Sequence, residues 1–118
     1  MLKMTKQGAF DKVLAHLRAQ GKAAADDYDQ CKYRMPDGRK CAVGCLIPDA
    51  DYNPGMEGKT VQNLQLFPGK ITALLDKLQI LHDSVLQRSG MVDWEVGMSE
   101  IARNYNLKYT PPKESGDA

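Results

Sequence analysis

Three cysteines are the first residues in this chain that could do chemistry, at positions 31, 41 and 45. Zinc in proteins prefers four thiolate or imidazole ligands, so Cys31, Cys41 and Cys45 would need His82 or His16 as a fourth. The spacing contains no Cys-x-x-Cys pair, and Cys45 lies inside an apolar run. Free cysteine is among the most frequently buried residue types. The sequence therefore favours packed thiols and no cofactor over a zinc site.

A nucleophilic cysteine is the second chemistry that these residues allow. If the run that begins at Cys41 is helical, the helix N-terminus would lower the pKa of that thiol. His82 would then be the base and Asp83 its partner acid. Neighbouring side chains on a helix point about 100° apart, which places Asp83 poorly for orienting His82. Cys41 and His82 are thus the catalytic candidates, although the sequence as a whole favours a protein that is not an enzyme.

The third chemistry is binding by charged and aromatic side chains between residues 32 and 57. Four cations lie within ten residues, with a tyrosine between them for stacking, as in a surface that binds nucleotides or nucleic acid. A solvated turn predicts the same pattern and is the favoured interpretation. The acids that follow lack the spacing of a calcium loop. The candidate binding residues are Lys32, Tyr33, Arg34, Arg39, Asp49, Tyr52 and Glu57.

Length and composition restrict the kind of protein that carries these residues. The chain has 118 residues, which fits one domain over 1–108 followed by a disordered tail over 109–118. The net charge is +1, divided as +4 over residues 1–40, −2 over 41–69 and −1 over 70–118. Neither a membrane span nor a signal peptide is apparent. An odd number of cysteines favours reduced thiols and the cytoplasm.

Helical periodicity predicts the elements that would position these side chains. Thr5 and Gly21 delimit a first helix over about 6–20. Thr60 caps a brief helix. The clearest apolar stripe predicts a helix that ends near Gln87 and consists of Ile71, Leu74, Leu75, Leu78, Leu81 and Val85. A second stripe predicts a helix capped by Asp93 and consists of Trp94, Met98, Ile101, Ala102 and Tyr105. Leu74, Leu78, Trp94 and Ile101 are predicted to be buried.

The middle of the chain has the form of a strand, a turn and a strand. Pro36-Asp37-Gly38 is a strong turn signal between residues 31–34 and 39–41. The apolar run 41–47 then reads as a strand end that passes into one or two helical turns. Residues 48–69 form a long irregular connection. The expected fold class is α+β and mostly helical, with three or four helices packed with one short β-hairpin.

The same central segment resembles a known family. Cys31-Lys32-Tyr33-Arg34, then Gly38-Arg39-Lys40-Cys41-Ala42-Val43-Gly44-Cys45-Leu46-Ile47-Pro48-Asp49, with Tyr52 and Met56-Glu57-Gly58, is similar to short proteins of tailed phages, prophages and bacterial genomes. The likeness covers about residues 6–107. The family has no established activity, so the resemblance implies a phage or prophage context and no catalytic residue.

Small phage proteins without catalytic motifs commonly bind and block a host protein. The resemblance therefore implies a non-enzymatic inhibitor that serves host takeover or anti-defence in the cytoplasm of an infected or lysogenic bacterium. Its partner would be a host protein, contacted through the hairpin and the 48–69 loop. A homodimer, a nucleotide-binding or nucleic-acid-binding role for the basic hairpin, and a cysteine-centred site (zinc-binding or hydrolytic) remain open alternatives.

Overall fold

The computed structural model describes residues 2–28 and 30–112, and helices form most of it. In chain order the elements are α1 (Lys6–Gln20), 3₁₀ turns at Gly44–Leu46, Asp49–Asp51 and Pro54–Met56, α2 (Val61–Leu64), α3 (Gly69–Leu81), a π-helical segment (His82–Leu86), α4 (Gln87–Ser89) and α5 (Met91–Asn104). We call residues 22–60 the irregular region. Nowhere in the described ranges is a helix both long enough and apolar enough to cross a membrane.

The caps of α1 and α2 confirm the predicted helices. The Gly8 N–H donates to Thr5 Oγ1 at 2.9 Å, and Gly21 ends α1 in the left-handed conformation (φ 78°) with its N–H on Leu17 O. The Asn63 N–H donates to Thr60 Oγ1 at 3.2 Å at the start of α2. These side chains satisfy backbone groups that the helix ends leave unpaired.

The predicted apolar stripes of α3 and α5 form the core. α3 packs against both α1 and α5, and Leu74, Leu78 and Trp94 are fully buried. Ile101 is only partly buried, contrary to expectation. The expected cap is also wrong, because α5 begins at Met91 directly after Gly90, whose positive φ of 90° breaks the chain direction. Asp93 therefore lies within the first helical turn.

The predicted β-hairpin is wrong. In the described parts of the chain there is no β-strand, only the isolated bridges Ala25–Cys31 and Arg34–Lys40. The central turn does form, with the Gly38 N–H on Met35 O at 3.0 Å. The fold is therefore helical with an irregular region, not α+β.

The hairpin does not extend beyond one bridge, because the next donor of its ladder is bound elsewhere. The Lys32 N–H donates to Ala24 O at 2.9 Å. The next two donors, Tyr33 N–H and Arg34 N–H, both go to the carboxylate of Glu57. Of these three donors, the Tyr33 N–H is the one that would face Cys41 in an antiparallel ladder, because the Cys41 N–H already donates to Tyr33 O at 3.2 Å. Since the Tyr33 N–H is bound to Glu57, pairing stops after one bridge.

The apolar run over 41–47 is buried along its whole length and contains the 3₁₀ turn Gly44–Leu46. The predicted helical turn is present, and the predicted strand end is absent. Gly44 is required here, since a Cβ at this position would lie 1.9 Å from Tyr33 O. The run thus packs its backbone directly against Tyr33, in the segment before the turn.

The last described residues lie along α1. The Arg18 guanidinium donates to Thr110 O at 2.8 Å, and the Tyr109 hydroxyl donates to Glu95 at 2.7 Å. Glu95 also forms an ion pair with Arg18 at 2.7 Å. Residues 113–118 of the predicted tail lie outside the described residues.

Candidate functional site

Cys31, His82 and Asp83 come together although they are distant in sequence. One potential ligand atom from each side chain lies within 4.8 Å of the others. Cys31 belongs to the irregular region, whereas His82 and Asp83 open the π-helical segment, a type of element that is frequent at functional sites. Of the four predicted zinc ligands only Cys31 and His82 share this cluster, without Cys41 and Cys45.

The hydrogen bonds of His82 determine its protonation state. The ring is fully buried, and its Nε2 lies 3.0 Å from the Ala24 backbone nitrogen. Because a backbone N–H only donates, Nε2 must be the acceptor and carries no proton. Nδ1 then holds the proton and donates to Asp83 Oδ1 at 2.8 Å. His82 is neutral and of one tautomer in this geometry.

Asp83 orients His82, contrary to the sequence prediction. Its side chain turns back over the preceding helical turn, where Gln79 Nε2 also donates to Oδ1 at 2.8 Å. The Asp83 carboxylate thus reaches the His82 ring, although neighbouring side chains on a helix point about 100° apart. The other carboxylate oxygen receives neither of these two bonds.

This geometry does not fit a divalent metal ion. A neutral histidine that binds metal through Nδ1 carries its proton on Nε2, which then needs an acceptor in the second shell. Here a donor, the Ala24 N–H, faces Nε2 at 3.0 Å. A metal at Nε2 would instead have to displace Ala24. The three side chains are close together, but His82 Nε2 faces a hydrogen-bond donor where a metal-bound histidine would need an acceptor.

The same bonds oppose the predicted catalytic pair. His82 has one lone pair, and Ala24 occupies it, so no acceptor is left to take a proton from a thiol. Cys41 is fully buried, and burial raises the pKa of its thiol far above the ordinary range. Burial also raises the pKa of Cys45 to about 12. Since the thiolate is the nucleophile, neither of these two cysteines is suited to attack.

Cys31, Gly58 and Asp83 form the shared lining of two adjoining cavities of about 810 and 280 Å³. We call these cavities together the groove. It runs between the irregular region and the helix formed by α3 and the π-helical segment. The larger part, which we call the mouth, is also lined by Gln30, Lys32, Ser84 and Arg88. The smaller part is lined by Tyr33, Glu57, Lys59, Thr60, Val61, Asp76, Gln79 and Ile80.

Four of the predicted binding residues form one internal network. The Glu57 carboxylate accepts the N–H groups of Tyr33 and Arg34 at 2.9 and 3.1 Å and the Tyr52 hydroxyl at 2.7 Å. The Arg34 guanidinium stacks 4.5 Å from the centroid of the Tyr52 ring and pairs with Asp49 at 2.8 Å. It also donates to Ile47 O at 2.7 Å. These charged groups bind one another and hold residues 47–57 against residues 33–34.

Two further predicted residues are also engaged inside the protein. Arg39 pairs with Asp37 at 2.8 Å and donates to Ala23 O and Ala25 O at 2.9 and 3.2 Å. Tyr33 is buried, and its hydroxyl donates to Lys59 O. Burial raises the pKa of Tyr33 to about 12. Its ring has no exposed face on which a base could stack, so of the seven candidates only Lys32 lines the mouth of the groove.

Two residues that sequence reasoning did not single out lie near this region. Tyr28 is 87% exposed, and Asp26 Oδ1 shapes its turn by accepting the N–H groups of Tyr28 and Gln30 at 2.9 and 3.0 Å. An aspartate two residues before the tyrosine is the local signal for such a turn. Arg88 enters the groove from α4, and no local pattern marked it.

Comparisons with family models, curated proteins and solved structures found no match to this chain. The resemblance to short phage and prophage proteins therefore stays a prediction.

Proposed function

We propose that this protein works by binding a macromolecular partner, a bacterial host protein in the cytoplasm of an infected or lysogenic cell, and that binding inhibits this partner. The observation that carries the proposal is the exposed Tyr28 on a turn that Asp26 shapes, two residues before Gln30, which lines the mouth of the groove. Tyrosine is enriched among the residues that dominate binding at protein interfaces, and Tyr28 is the most exposed large hydrophobic side chain among the described residues.

Hydrogen bonds between segments of the irregular region support this proposal. Glu57, Arg34 and Arg39 each form several hydrogen bonds that hold the loops in one conformation. A surface that is ordered before binding does not have to be ordered by its partner, and this saving raises affinity. The chain thus uses partly buried polar side chains to shape a surface.

The local chemistry at the cysteines supports binding over catalysis. Cys41 is buried with a raised pKa, and the lone pair of His82 is occupied by Ala24. A catalytic role for His82 would require Ala24 to move away first. A host protein is the expected class of partner because of the phage context, which is implied by the resemblance alone.

Photo-crosslinking tests the proposal directly. p-Benzoylphenylalanine replaces Tyr28 in one variant and Val92, which is 79% exposed on α5, in a control. Both are irradiated in bacterial cell extract. We expect one discrete protein adduct from position 28 only, abolished by excess wild-type protein but not by excess Tyr28→Ala. Equal adduct patterns from both positions, or none from position 28, would contradict the proposal.

A further inference from the structure

The five arginines of the chain divide into two groups. Arg18, Arg34 and Arg39 each form an ion pair, with Glu95, Asp49 and Asp37 respectively. Within residues 2–28 and 30–112, Arg88 and Arg103 form none, and neither does Lys32. Of these three cations without ion pairs, Lys32 and Arg88 line the same cavity.

The other side chains at the mouth of the groove are neutral except for Asp83. Gln30 and Ser84 add neutral groups that can donate hydrogen bonds. Asp83 is the one acid that lines the mouth among the described residues, and its Oδ1 already accepts bonds from His82 and Gln79. The mouth therefore presents two cations against one carboxylate that is partly satisfied inside the protein.

We infer that the host partner presents an acidic segment, whose carboxylates bind between Lys32 and Arg88 while its neighbouring residues contact Tyr28. This inference rests on the proposed function and names the chemistry of the partner. An arginine guanidinium binds a carboxylate through two parallel hydrogen bonds, and Lys32 adds a second charge. The attraction between unlike charges also speeds association and makes it sensitive to salt.

A nucleic acid fits the groove less well than a protein segment does. The smaller part of the groove is lined by three acids, Glu57, Asp76 and Asp83, against one cation, Lys59. These carboxylates would repel a continuous chain of phosphates. Tyr33, the aromatic residue in the groove, is buried and offers no face for stacking. A protein segment can place its acids at the mouth alone.

The probe for this inference is acetylated tetraglutamate, added at low salt to ¹⁵N-labelled full-length protein. We expect saturable chemical-shift changes at the amides of Lys32, Ser84 and Arg88, with an affinity that falls as salt is added. The double variant Lys32→Gln/Arg88→Gln is expected to weaken binding about five- to thirtyfold, which corresponds to ~1–2 kcal/mol for two exposed ion pairs. Arg103→Gln, which removes an exposed cation from α5, is the matched control and should bind like wild type.

Five results would overturn the inference. Chemical-shift changes at the amides of cations far from the groove would mean that tetraglutamate does not bind in the groove. Unchanged binding of tetraglutamate by the double variant would mean the same. Tetralysine binding as strongly as tetraglutamate would remove the charge argument. Stronger binding of a ten-residue oligothymidylate to the same amides would favour nucleic acid, and equal shifts with inorganic phosphate would show that any small anion suffices.

The crosslink at position 28 separates this inference from the proposed function. If the double variant keeps the host adduct and tetraglutamate does not bind, the partner exists but its acidic segment does not. If tetraglutamate binds and no adduct forms at position 28, the groove binds acids and the proposed host partner is refuted.

Discussion

Helices α1, α3 and α5 differ from the irregular region in what holds them in place. The helices bury stripes of apolar side chains such as Phe10, Leu74 and Trp94, and their polar residues mostly face outward. The irregular region also buries apolar residues, but single polar side chains determine its course by binding several backbone groups at once, as Glu57 and Arg39 do. Apolar burial is spread over many residues, whereas the loop conformation depends on a few.

Truncation of an apolar core residue should have the largest effect. Leu78 is fully buried on α3, so Leu78→Ala leaves a cavity and should lower the free energy of unfolding by about 2–5 kcal/mol, measured by urea denaturation. Ile80 is 50% exposed two positions further on. Ile80→Ala is the matched control, and a loss as large as that of Leu78→Ala would contradict the assigned core face of α3.

The contact between two parts of the irregular region should be nearly as sensitive. Gly44→Ala would place a Cβ 1.9 Å from Tyr33 O, a backbone atom that cannot move alone, and should cost about 3 kcal/mol in the same assay. Gly69 begins α3 with no atom within 4 Å of a Cβ. Gly69→Ala, the control, should therefore leave the free energy of unfolding unchanged. Wild-type stability in Gly44→Ala would show that Tyr33 and the apolar run are not in contact.

Loss of one carboxylate should open the loops locally. Glu57→Gln removes the charge and part of the acceptor capacity for three donors, at a cost of about 1–3 kcal/mol. Hydrogen exchange should accelerate at the amides of Tyr33 and Arg34 and stay slow in α3. Glu100→Gln, on the exposed face of α5, provides the control. Uniform acceleration in both regions would mean that the loops and helices do not differ as described.

The smallest effect is expected at a helix cap. Thr5→Ala removes the acceptor for the Gly8 N–H and should lower stability by about 1 kcal/mol. Thr5→Ser keeps a hydroxyl at the same place and should restore most of it. Thermal denaturation followed by circular dichroism measures both variants, and equal losses in the two would rule out the cap as the cause.

The same difference explains how much of the fold was predictable. α1 and α2 begin at Thr5 and Thr60, and α1 ends at Gly21, all of which are local signals. The stripes of α3 and α5 repeat every three or four residues and were equally visible. The central turn was recognised too, because Pro36-Asp37-Gly38 acts within four residues.

The failures involve partners far apart in the chain. The hairpin was predicted because nothing near Tyr33 shows that its N–H is bound by Glu57, 24 positions away. His82 was paired with Cys41, whereas the fold brings it to Cys31 and to the amide of Ala24, 58 positions away. Such pairings depend on the path of the irregular region, and no periodic pattern encodes that path.

The orientation of the loop-holding side chains has a consequence for how this protein can evolve. Glu57, Arg34 and Arg39 bind backbone groups inside the protein, while Tyr28 projects from it at 87% exposure. Surface substitutions away from structural bonds usually change stability by less than about 0.5 kcal/mol. Substitutions at exposed positions such as Tyr28 should therefore leave the fold intact, so the surface can change in sequence without a change in the framework beneath it.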